Sequence, residues 1–139
     1  NINIIERLYD KKIPICCHLG LRPQLINRKS EFRIYGKTEK EKVKIIHDAI
    51  LAEKLGAKII LLECVSNVVV RELRSLLKIP IIGIGSGESC DGQIIVSYDL
   101  LGISINKSPK FIKKDYICRS IIEKNMRKYI KYVKKLPTK

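Results

Sequence analysis

Lys58-Ile59-Ile60-Leu61-Leu62-Glu63 is the stretch that decides the fold class. Four apolar residues follow one another without alternation, so both faces of the segment are apolar. That is the pattern of a strand buried on both sides in a parallel sheet. Helical patterns flank it. Upstream, Thr38-x-x-Glu41 forms a capping box, whose hydroxyl and carboxylate satisfy the free N–H groups of a helix start. Val43, Ile46, Ile50, Leu51 and Leu55 then make an apolar face, and Gly56 closes the helix in the C′ position. Downstream, residues 67–77 read as a second helix, with Ser66 as its cap and Val69, Leu73, Leu76 and Leu77 turned inward.

The same alternation extends outward. Residues 1–10 suit a short amphipathic helix with Ile2, Ile5 and Leu8 on one face. Residues 13–17, with Pro14, read as a strand that ends at His18-Leu19-Gly20, and a polar loop covers 22–37. Pro80 to Ile84 is another strand, running into Gly85-Ser86-Gly87, and 93–96 is a fourth. Beyond a loop containing Pro109, residues 117–136 form a long basic helix. Its apolar positions are Ile121, Ile122, Met126, Tyr129, Ile130 and Val133, more than a solvated surface helix wants; docking onto the sheet or onto another subunit is the expectation. The class is α/β. An open doubly wound sheet and part of a (β/α)8 barrel both fit, but a complete barrel takes ~250 residues, more than the 139 of this chain.

Composition narrows the function. The chain is 45% hydrophobic and 30% charged, as a folded domain should be, and no run approaches the ~18 apolar residues of a membrane span. The net charge of +14 raises the question of nucleic acid. Its placement argues against that partner. Residues 107–139 hold twelve lysines and arginines against Asp115 and Glu123, a net of +10, which leaves +4 over the other 106 residues. The excess is mostly lysine (20 Lys, 8 Arg) beside 25 isoleucines, a balance that AT-rich coding produces unaided. Five cysteines (16, 17, 64, 90 and 118) include no C-x-x-C pair. They form neither a disulfide framework nor a zinc site, and reduced thiols make a cytoplasmic setting the default.

In parallel α/β folds chemistry collects just past the carboxyl ends of the strands. Three features occupy those places. His18 offers an imidazole that could donate to a carboxylate or carbonyl, or else it is a histidine satisfied by a neighbouring backbone carbonyl. Glu63 ends the central strand. A carboxylate there is costly unless its pKa rises, as suits a base that abstracts a carbon-bound proton, or unless a Lys or Arg pairs with it. Gly83-Ile84-Gly85-Ser86-Gly87 looks like a phosphate loop, but Glu88 stands where the dinucleotide fingerprint needs its last glycine. His47, mid-helix beside Asp48, reads as a surface or partly buried residue without a role; Asp91 and Asp99 lack partners at metal-ligand spacing, and no metal site is expected among these residues.

Together these strand ends resemble one family. Residues 13–24 (Ile-Pro-Ile-Cys-Cys-His-Leu-Gly-Leu-Arg-Pro-Gln), 61–65 (Leu-Leu-Glu-Cys-Val), 79–87 (Ile-Pro-Ile-Ile-Gly-Ile-Gly-Ser-Gly), 91–96, 99–102 and Pro109-Lys110-Phe111 match blocks of ketopantoate hydroxymethyltransferase in order and spacing. The resemblance covers the C-terminal half of that family. It implies strands five to eight of a (β/α)8 TIM barrel, so that residues 1–139 would be a partial barrel domain with 107–139 as its basic C-terminal helical segment. It further implies a transferase of pantothenate biosynthesis, which enolises 2-oxoisovalerate and adds a hydroxymethyl group from 5,10-methylenetetrahydrofolate. Glu63 would be the catalytic proton acceptor and His18 a substrate-binding residue. The divalent metal, usually Mg2+, would be held by acids of the missing N-terminal half, which is also the expected partner. The family resemblance implies a cytoplasmic homodecamer without membrane attachment. A fragment without those metal ligands would be inactive alone; the alternatives are a non-catalytic remnant that assembles with an intact enzyme and, less favoured, a basic nucleic-acid-binding module. Two departures, Tyr35-Gly36-Lys37 and Arg22 before Pro23, fall in the polar loop.

Overall fold

The computed structural model describes residues 2–26, 32–104, 109, 111–112 and 118–135. The chain forms two compact units, residues 1–94 and 95–139. In the first, α1 (Ile2–Asp10), β1 (Cys16–Gly20), α2 (Glu39–Lys54), β2 (Ile59–Glu63), α3 (Asn67–Leu76), β3 (Ile81–Ile84) and β4 (Gly92–Gln93) follow in order. The four strands make one parallel sheet in the order β1-β2-β3-β4. The expected α/β class with a parallel sheet is therefore present.

One sheet face carries the core. Ile60, Leu62 and Ile81 are buried there under α2 and α3, with Ile45, Ala49, Ala52, Val69, Val70 and Leu73 supplied by the helices. Alternate positions on β2 (Ile59, Leu61, Glu63) are only partly buried. The continuous apolar run thus packs one face fully, and its second face lies more open. Ile5 and Leu8 of α1 pack against the same core, whereas the side chain of Ile2 and residue Asn1 lie outside the described residues.

Several boundaries differ from the sequence expectation, each for a local reason. β1 starts at Cys16, not Ile13. The turn after α1 uses the left-handed Lys12 (φ 58°), and the Ile13 N–H caps the helix by donating to the Leu8 carbonyl at 3.0 Å. Pro14 has no N–H to give a ladder. The buried positions of α2 are Ile45, Ala49 and Ala52, while Val43 is exposed. Two alanines let the helix lie close to the sheet, which a pattern of large residues does not reveal. In α3 Val70 is buried, whereas Leu76 is exposed. The fourth strand is only Gly92–Gln93; the Ile94 N–H still donates to the Gly83 carbonyl at 2.9 Å, and the side chains of Ile94, Ile95 and Val96 are exposed.

The second unit contains α4 (Ser97–Leu100) and α5 (Arg119–Val133). The Cys118 N–H donates to the Leu101 carbonyl at 2.9 Å. The expected ends of the long helix, Ile117 and Leu136, lie outside the described residues. All six apolar residues of its stripe are exposed. No helix among the described residues is long and apolar enough to cross a membrane.

Candidate active site

The site is built where β1 and β2 end. In the parallel register Gly20 pairs with Glu63 and His18 with Leu61, so His18 and Glu63 are diagonal neighbours on the open face. Their side chains meet: His18 Nε2 lies 3.2 Å from Glu63 Oε2. Nε2 is itself buried and has no aligned hydrogen-bond partner among the described residues, so the contact with Oε2 is close without being a well-directed bond. The neighbour of Glu63 is a histidine, not a lysine or arginine, and His18 faces that carboxylate.

Burial raises the pKa of Glu63, because desolvation penalises the carboxylate. The nearby His18 opposes that shift in part. At 16% side-chain exposure Glu63 keeps a path to solvent or substrate while remaining a stronger base than an ordinary glutamate.

Backbone contacts hold Glu63 in place. Its carbonyl accepts from Leu21 N–H at 2.8 Å. The next residue, Cys64, sits in the left-handed region (φ 51°), which a side-chain-bearing residue rarely adopts. Its N–H donates to Ile84 carbonyl (2.9 Å) and its carbonyl accepts from Tyr35 N–H (2.8 Å). Ser86 is fully buried; its hydroxyl donates to Leu62 carbonyl (2.7 Å) and accepts from Val65 N–H (3.0 Å). The Gly83–Gly87 loop thus has a structural task, stitching the end of β2. Gly20, at φ 89°, lies against the Glu63 carbonyl and Val65, where a Cβ would collide.

The polar loop is tied to the same place. Tyr35 forms an isolated parallel bridge with Val65. Thr38 caps α2 by accepting from the Glu41 N–H at 3.3 Å, but the Glu41 carboxylate reaches further back than a simple capping box requires. It accepts from Gly36 N–H (3.0 Å) and pairs with Arg33 (2.6 Å), whose guanidinium stacks 4.4 Å from the Tyr35 ring centre. The sequence reading missed this clamp, since Arg33 and Glu41 carry no motif beyond the capping box.

The remaining candidates are structural. His47 is exposed beside Asp48. Asp91 accepts from the Ile81 N–H (2.9 Å) and pairs with Arg74 (2.8 Å) at the other end of β3. No disulfide joins Cys16, Cys17, Cys64, Cys90 and Cys118 to one another. Among the described residues no group of three His, Cys, Asp or Glu side chains is placed to hold a metal ion.

A carboxylate of raised pKa beside an imidazole, at the carboxyl ends of parallel strands with helices on one face, defines a class: an α/β protein with a parallel sheet and a candidate site at its strand ends. The family model of ketopantoate hydroxymethyltransferase matches residues 1–138, and the chain belongs to that family. It is 38% identical over 96% of its length to 3-methyl-2-oxobutanoate hydroxymethyltransferase 2 of Aliivibrio fischeri. It is 40% identical over 94% to the protein of that name in Pseudomonas aeruginosa strain UCBPP-PA14. It is 39% identical over 96% to 3-methyl-2-oxobutanoate hydroxymethyltransferase of Buchnera aphidicola subsp. Schizaphis graminum. The chain spans about half the length of these curated relatives, 51%, 49% and 51% respectively.

Proposed function

We propose that this chain carries the general base of a 3-methyl-2-oxobutanoate hydroxymethyltransferase acting in pantothenate biosynthesis. The observation behind this is the His18–Glu63 pair, with Glu63 desolvated at the end of β2. Glu63 takes the proton from C3 of 2-oxoisovalerate, the carbon beside the ketone. The C–H electron pair enters the enolate, and C3 then bonds the one-carbon unit of 5,10-methylenetetrahydrofolate. Water supplies the hydroxyl as the carrier leaves, giving ketopantoate. His18 binds substrate and limits how far the pKa of its neighbour rises.

The family membership and the parallel sheet support assigning these strands as five to eight of a (β/α)8 barrel. Mg2+ is the expected cation; among the described residues no three-ligand group is placed for it, its ligands would, as the family resemblance implies, come from residues outside this chain, and no step above is routed through it. The substrate-binding remainder would come from the N-terminal half. The 139-residue chain by itself is then inactive, assembly as a homodecamer belongs to the whole protein, and the cytoplasm is its compartment. The exposed stripe of α5 supports a role in assembly and would equally suit a non-catalytic partner of an intact enzyme.

The test is exchange of the C3 proton of 2-oxoisovalerate in D2O, followed by NMR, together with ketopantoate formation. Full-length protein containing this chain is expected to do both, and the chain alone neither. Turnover by the chain alone would overturn its incompleteness. Failure of the full-length protein to exchange the proton would overturn the enzyme assignment and leave the assembly partner.

A further inference from the structure

Glu63 and its neighbours also define what must lie against the substrate carbon, if Glu63 is the base proposed above. Paired residues of adjacent strands point to the same face, with Cβ atoms about 5 Å apart. Glu63 pairs with Ile84 on β3 and with Gly20 on β1. Leu61 is one step back on the same face, paired with His18 and with Ile82. Ile84 is 8% exposed, yet it is not among the residues that make up the core under α2 and α3. The carboxylate is therefore bordered by a polar side, His18, an empty side, Gly20, and an apolar side, Ile84 with Leu61.

A carbon acid that gives its proton to Glu63 holds that carbon within hydrogen-bonding reach of the carboxylate. Its other substituents are one bond away, within contact of the paired residues. We propose that Ile84 and Leu61 form the wall that receives the alkyl substituents of the proton-bearing carbon and so determine which 2-oxo acid is accepted. The wall selects a small branched aliphatic group. A group longer by one methylene meets Ile84, and a polar or charged group there loses water without gaining a partner.

The experiment compares kcat/KM for 2-oxoisovalerate and 3-methyl-2-oxopentanoate, one methylene larger, in full-length protein containing this chain. One methylene in an apolar pocket is worth roughly 10–200-fold in discrimination. The unaltered protein is expected to prefer the smaller acid. Ile84→Ala is expected to move the ratio at least tenfold toward the larger (about tenfold being the low end of that range), and Leu61→Ala to move it in the same direction. Ile84→Val removes a single methylene and tests the wall with the fold intact. Its ratio should move the same way by a smaller factor, which decides the matter if Ile84→Ala does not fold. Equal losses for both acids in an active Ile84→Val or Ile84→Ala protein would overturn the wall while leaving Glu63 as base. Absence of C3 exchange in the unaltered protein would overturn the base, and the wall with it.

Discussion

At position 63 a carboxylate is kept in partly desolvated surroundings, and the sign of its effects follows. A folded-state pKa raised above the unfolded value means that the folded protein holds its proton to higher pH. Glu63 is therefore neutral in stability terms below the unfolded pKa and costs stability as pH rises through the raised one. Glu63→Gln removes that cost. It is expected to abolish C3 exchange in full-length protein while raising the urea midpoint at pH 7 and leaving it unchanged at pH 4. A carboxylate acting as the proposed base works only when deprotonated, so the exchange rate should fall on the acid side through the raised pKa. His18 holds that pKa down, so His18→Ala should shift the acid limb of the exchange profile to higher pH. A shift to lower pH would contradict the role given to His18.

Among the elements, β2 depends on residues far away in sequence. Ser86 joins Leu62 and Val65 through one buried hydroxyl. Ser86→Ala leaves the Val65 N–H buried without its acceptor, and such a loss costs about 1–3 kcal/mol. Chemical denaturation should show that drop, with Ser86→Thr recovering part of it if the extra methyl fits. The Glu41 clamp is exposed, so its ion pair with Arg33 contributes little by itself. Its effect is local order. Glu41→Ala should speed hydrogen exchange at Gly36 while the amides of Ile60 and Leu62 stay protected, and uniform loss of protection would show the clamp to be global. Thr38→Ala should cost about 1 kcal/mol as a lost helix cap.

For the whole molecule, β1 and β4 are the edges of the four-stranded sheet, and the apolar stripe of α5 is exposed. Open edges and exposed apolar patches invite association. The 139-residue chain alone is expected to bind a dye specific for apolar surface and to sediment as concentration-dependent oligomers. Full-length protein containing it should show a single species and weaker dye binding. A monodisperse monomer with no dye binding would mean that these surfaces are covered in a way the chain itself provides.

The α/β class was legible in the sequence because continuous apolar strands between capped helices admit few arrangements. Ile59 to Leu62, the Thr38 cap and the Gly56 stop are local signals, set by burial and backbone geometry within a few residues. Glu63 was also legible as a candidate, since a carboxylate closing an apolar strand is costly wherever it occurs. Local signals did not reach the edges of the elements. The start of β1 depends on how α1 ends, and the buried face of α2 depends on how closely two alanines let it approach the sheet. Only the tertiary structure decided that His18 and Glu63 meet, because the 45-residue separation is closed by strand register. The same holds for Ser86, Tyr35 and Glu41, whose bonds to the end of β2 or its loop form only once the strands are side by side. Residue chemistry is written along the chain, whereas the pairing that turns it into a site comes from parallel strands brought together by the core beneath them.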